Sequence, residues 1–223
     1  MRIRTVLLAI LVLFGTSLAS HAGVAYTVSL DTTVLVGLGP FGLAFQFVDG
    51  SGNPVPDANN NVTVSNFQFG GGSPSGSPFI LSTVGFVSGS LDSGTVSMID
   101  DQPYGYFAQL FTPGTSLSFQ LASTTNLDAG GVYDLFTFGI TDSGFNSILT
   151  TAGDGSELLS LTLDDPVNPT VATYATDFPD NAAFELGPPV VTGAGEVPEP
   201  ATWLPVGLIL GGAWCRRRWW ARR

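Results

Sequence analysis

The chain has 223 residues, with 18 Asp and Glu against 7 basic residues and a formal charge of −11 at neutral pH. All seven are Arg at the two ends (Arg2, Arg4, Arg216, Arg217, Arg218, Arg222 and Arg223), and the lone His21 and Cys215 are also terminal, so residues 23–195 carry 16 acids and no cation or thiol. That stretch therefore excludes His- or Lys-based nucleophilic triads, disulfides, His/Cys metal centres and phosphate or nucleic-acid clamps, leaving carboxylates, hydroxyls, amides and five Tyr.

Met1–Arg4 is a basic opening, Val6–Phe14 an apolar run, and Ser20-His21-Ala22 a small-x-small triplet ahead of Gly23. This order predicts a secretory signal peptide over residues 1–22, cut between Ala22 and Gly23, with the Sec translocon and signal peptidase as partners.

From Gly23 onward the pattern has a period of two, the mark of half-buried strands. Tyr26, Val28 and Leu30 alternate with Thr27, Ser29 and Asp31, and Phe41, Leu43, Phe45 and Phe47 share one face of the next segment. Val62–Phe69 follows, then Gly70–Pro78 as a long loop, then Phe79–Leu91, Thr95–Ile99 and Tyr104–Phe111. Leu117, Phe119 and Leu121 alternate with Ser118 and Gln120. Phe136, Phe138 and Ile140, then Leu159, Leu161 and Leu163, repeat the pattern, and Val171–Ala175 and Ala183–Leu186 close it. Turn clusters such as Asp92-Ser-Gly94 and Asp142-Ser-Gly144 punctuate the series. About ten to twelve short strands predict an all-β, antiparallel sandwich or jelly-roll-like single domain over residues 23–187. Residues 188–196, small and Pro-bearing, read as a linker.

The end of the chain is built differently. Val197-Pro198-Glu199-Pro200 is stiffened by two prolines, which present the Glu carboxylate on an extended segment. Ala201–Cys215 is an uncharged run of 15 residues, against the roughly 20 needed for a comfortable membrane span. Trp203 and Trp214 lie near its edges, and Arg216, Arg217, Arg218, Arg222 and Arg223 follow as a stop-transfer cluster over 216–223. Arg at both ends places the segment between them outside the inner membrane.

Motif, apolar run and basic cluster, in that order, resemble the PEP-CTERM sorting signal of Gram-negative bacteria, over Val197–Arg223. The resemblance implies a transient transmembrane helix and recognition by an exosortase, a membrane transpeptidase, at Val197, Pro198, Glu199 and Pro200. Pro205 inside the apolar run departs from a regular helix. A second resemblance covers the body: Gly23–Thr32, Phe-Gly-Leu-Ala-Phe-Gln-Phe at 41–47 and Ala58–Phe69 look like an uncharacterised family of PEP-CTERM proteins, which carries no assigned activity.

Calcium is the one cofactor the inventory admits, with Asp142, Asn146 and Asp154 as the leading ligands and Asp100-Asp101 and Asp164-Asp165 as others; none forms a known calcium loop, and Asx turns are the simpler reading. Paired carboxylates for glycoside hydrolysis are an unspecific match among 16 acids. Tyr104-Gly-Tyr106 supplies two aromatic faces for a glycan. The inventory predicts a non-enzymatic protein that does not bind nucleic acid, and the PEP-CTERM resemblance implies an exported surface or extracellular-matrix protein, structural or adhesive, with extracellular polysaccharide as its partner. A carbohydrate- or calcium-binding module is the alternative, and a binding module predicts an exposed Tyr platform.

Overall fold

The computed structural model describes residues 23–50, 58–82, 86–101, 103–127, 132–152, 155–177 and 185–196. Ala22, Asp154, the sorting motif Val197–Pro200, the apolar run with Ala201, Trp203, Trp214 and Cys215, and the Arg cluster lie outside these residues. Among the described residues no helix is long and apolar enough to cross a membrane.

Most of the predicted alternation becomes strand. The strands are β1 (Gly23–Asp31), β2 (Phe41–Val48), β3 (Asn61–Gln68), β4 (Ser73–Leu81), β5 (Val87–Ser90), β6 (Thr95–Ile99), β7 (Tyr104–Thr112), β8 (Ser116–Thr124), β9 (Leu135–Thr141), β10 (Leu159–Thr162), β11 (Thr170–Thr173) and β12 (Val190–Glu196). They form two antiparallel six-stranded sheets: sheet A in the order β12-β1-β8-β3-β6-β5, and sheet B in the order β11-β10-β9-β2-β7-β4. The pairing is nested, with β1 on β8, β2 on β7 and β3 on β6, while β5 touches β4 at the centre of the nest. Strands β9–β11 then widen sheet B beyond β2, and β12 widens sheet A beyond β1.

The sheets pack face to face in a sandwich-like arrangement because each strand turns one row of apolar side chains inward. Val24, Tyr26, Val28 and Leu30 from β1 meet a Phe cluster from sheet B in one core. Phe45 is at its centre, with ring centroids 5.7 Å from Phe119 of the opposite sheet and 5.9 Å from each of Phe107, Phe136 and Phe138. Burying a ring of this size contributes about 1.5–3 kcal/mol, so the Phe ladder stabilises the domain without a disulfide.

Four stretches differ from expectation, the first being Phe79–Leu91, read as one segment but divided between the end of β4 and β5, with Ser82, Phe86 and Leu91 outside any strand. Residues read as a loop, Gly70–Pro78, mostly enter β4, an edge strand along β7. Proline is tolerated on an edge because its missing N–H faces no partner, and a register shift between Ser75 and Phe79 absorbs Gly76 at φ 67°. The expected linker 188–196 is likewise strand from Val190 on, paired with β1 through Ser29↔Val190, Val28↔Val191 and Thr27↔Thr192. The strand series therefore ends at β12, not at Ala183–Leu186, of which Glu185 and Leu186 lie outside any strand and 183–184 outside the described residues. Backbone bonding holds β12 there: Val190, Thr192 and Gly193 are exposed, so no buried apolar period marks it in the sequence.

Candidate functional site

Strand β7 sends Tyr104 and Tyr106 outward and Gly105 inward. A Cβ on Gly105 would sit 3.0 Å from Val87, so the residue between the two tyrosines is small because the core closes beneath it. The two phenol rings stack at 6.5 Å with 12° between their planes. Tyr106 meets Phe79 of β4 edge to face at 6.1 Å, and Phe79 stacks on Phe145 at 6.0 Å. Four rings therefore follow one another over the outer face of sheet B in steps of about 6 Å, with Tyr104 40 % and Phe79 49 % exposed. Such spacings are those of favourable aromatic pairs.

Polar groups continue the face sideways. The register places Gln46 of β2 beside Tyr106, Thr137 of β9 beside Gln46, and Ser160 of β10 beside Thr137, all half-buried. Burial pushes the Tyr104 and Tyr106 phenols above their ordinary value, and Tyr104 adds to the rise at Tyr106. Both stay neutral hydroxyl donors and acceptors.

Phe145 comes from the turn after β9 and is held in the left-handed region at φ 61°, where a bulky side chain is strained. Asp142 stabilises that turn: its Oδ1 accepts the N–H groups of Gly144 (2.8 Å) and Asn146 (2.9 Å), and its Oδ2 accepts the Asn146 side-chain amide (2.9 Å). The Phe145 N–H donates to the Asp142 carbonyl at 3.0 Å. The ring then lies over β2 at Gly42, where a Cβ would come within 3.0 Å of it and would also strike the Thr141 hydroxyl.

Among the described calcium candidates, Asp100, Asp142, Asn146, Asp164 and Asp165 are engaged in hydrogen bonds within the domain. Asp142 and Asn146 meet each other, as above, and hydrogen bonding from Asn146 holds the Asp142 carboxyl below the usual range. Asp164 accepts both the N–H and the hydroxyl of Thr170, and Asp165 caps Val167 and Asn168; their carboxyls are lowered by these same bonds. Asp100 accepts the buried Asn60 N–H at 2.8 Å. Among the described residues no three His, Cys, Asp or Glu are grouped to hold a metal ion.

Two buried amides that sequence reasoning missed tie the loops together. Asn60 donates to Asp134 Oδ2 (2.7 Å) and the Asn126 carbonyl (2.8 Å) while its Oδ1 accepts from the Asn126 N–H (2.8 Å), and Asp134 Oδ1 accepts from Gly50 (2.9 Å). Gln109, facing inward on β7, accepts from the Leu91 N–H and donates to Gly76 and Asp92, fastening the edge strand β4 to the β5–β6 turn. On the opposite margin an open cleft of about 360 Å³, lined by Tyr26, Val171, Thr173, Pro189 and Val191 among others, separates β11 from β12. Of the platform, the sequence identified Tyr104 and Tyr106 but not Phe79, read only as the start of the segment after the Gly70–Pro78 loop, nor Phe145, isolated in a turn.

No protein-family model matches this chain, and neither does any curated protein or solved structure.

Proposed function

We propose that this is an exported surface or matrix protein whose β-domain acts as an adhesive element, holding polysaccharide on the outer face of sheet B. The observation that carries the reading is the run of four rings from Tyr104 to Phe145, flanked by amide and hydroxyl groups: aromatic faces accept the C–H faces of sugar rings while polar neighbours bond their hydroxyls. The nested pairing of β1 with β8, β2 with β7 and β3 with β6 supports a jelly-roll-like reading, and jelly rolls are common among lectins.

In this reading residues 1–22 direct export, and Val197–Arg223 hold the chain in the inner membrane until an exosortase acts near Pro198-Glu199-Pro200. Affinity electrophoresis of the purified full-length protein through gels containing polysaccharide tests the adhesive role. Retardation that disappears in Tyr104→Ala/Tyr106→Ala supports it, and equal mobility with and without every polysaccharide tried sinks it. Mass spectrometry of the envelope-associated protein tests the sorting: an intact Arg223 there contradicts processing.

A further inference from the structure

The charge of this domain is distributed in a way that selects among polysaccharides. None of the six strands of sheet B contains a charged residue, although residues 23–195 carry 16 acids. The acids lie at the strand ends. Tyr104, Val48, Leu135, Thr162 and Thr170 form one cross-sheet row, and Asp49, Asp101, Asp164 and Asp165 lie just beyond it in the chain. At the opposite end of the sheet, beside Gly42 and Thr141, stands Asp142. Carboxylates thus bracket the aromatic run at both ends, and no Arg, Lys or His between 23 and 196 offsets them.

We infer that the outer face of sheet B takes an uncharged polysaccharide, and that Phe145, set over β2 by the Asp142 turn, closes one end of its track. The inference rests on the glycan reading above. A neutral chain gains ring stacking along the run and hydrogen bonds toward Gln46 and Thr137, with neutral phenols beside it. A uronate or sulfated chain on the same track meets carboxylates at both ends of the sheet and no cation between 23 and 196, so its charges are repelled and none is paired. The turn fixes the length of the track. Gly42 leaves the space, Asp142 Oδ1 collects two N–H groups, and the strained Phe145 backbone aims its ring at Phe79.

The test runs the full-length protein and its variants through neutral glucan and galactomannan gels, and through alginate and hyaluronate gels containing a chelator, over a salt series. The expected result is retention by a neutral polysaccharide that salt leaves unchanged. Tyr106→Ala should weaken it about tenfold and Phe145→Ala by several-fold, since each removes one stacking face. Asp142→Ala should match Phe145→Ala, whereas Asp142→Asn, which keeps an acceptor for Gly144 and Asn146, should bind like the parent. Tyr106-dependent retention by the anionic gels alone overturns the inference while leaving the glycan reading intact, and parental binding by Phe145→Ala overturns the track's end. No retention on any gel removes the glycan reading itself, as does a protein that self-associates through this face and becomes monomeric in Tyr106→Ala.

Discussion

The outer faces of the two sheets are built from the same kind of strand and present opposite chemistry. Across sheet A one cross-strand row reads Thr192, Thr27, Gln120, Ser65, Thr95 and Ser90, short polar side chains without a ring. Across sheet B the corresponding kind of row reads Leu81, Tyr106, Gln46, Thr137 and Ser160, with Phe79 and Tyr104 alongside. The strands of both sheets carry no charged residue apart from the terminal Asp31 and Glu196, so charge does not separate them. Exposed aromatic area does. A polar carpet satisfies solubility and needs no further explanation, whereas large rings left half-exposed on one face of a strongly acidic domain cost hydration and point to a contact.

The comparison fails at once if the core fails, and this sets the largest expected effect. Phe45→Ala removes the ring around which both sheets pack and should destabilise the domain by about 4 kcal/mol in denaturant titrations, abolishing both faces together. Asn60→Ala deletes a buried hub that joins the β2–β3 and β8–β9 segments to Asp134 and removes the Asn60 donor to Asp134 Oδ2, so a loss of roughly 3 kcal/mol is expected, again without preference for either face. Tyr106→Ala is the substitution that separates the faces. It should change stability by no more than about 1 kcal/mol while reducing polysaccharide retention about tenfold. Thr27→Ala on sheet A, exposed and outward, should alter neither quantity by more than about 0.5 kcal/mol equivalent.

The smallest effect expected is that of acid. Asp142, Asp164 and Asp165 have carboxyls lowered in the folded chain, chiefly by hydrogen bonds from Asn146, Thr170 and Asn168 respectively. A folded value below the unfolded one means that the contribution is present above the ordinary aspartate value of 3.8 and fades as pH falls through the lower folded value. Thermal midpoints should therefore be flat from neutral pH down to about 4 and decline below it. Since these groups are exposed, Asp164→Asn should flatten the acid limb only slightly.

What could be read in the sequence follows the strength of the alternating pattern. Leu117-Ser118-Phe119-Gln120-Leu121 and Phe136-Thr137-Phe138 announce strands because one face is buried and the other polar, and both are strands as read. Edge strands carry no such signal. β4, with Pro74, Gly76 and Pro78, is held by β7 and the Gln109 side chain, and β12 by the β1 backbone, so local composition pointed to loop and linker. The candidate site divides the same way. Tyr104 and Tyr106 stand two apart on one strand and were legible as a pair, whereas Phe79 and Phe145 join them only through sheet register and a strained turn. The Asp142–Asn146 pair was visible as an oxygen-rich turn, and its use, aiming a ring rather than holding an ion, depends on contacts to Gly42 and Phe79 that no local reading contains.

The most direct measurement is a side-by-side affinity electrophoresis of Tyr106→Ala and Gln120→Ala, one change in each sheet's outer face, through a neutral polysaccharide gel. The account predicts that Gln120→Ala is retarded like the parent and that Tyr106→Ala binds about tenfold more weakly. Equal retardation of the two, or loss in Gln120→Ala alone, would contradict the assignment of the binding face to sheet B.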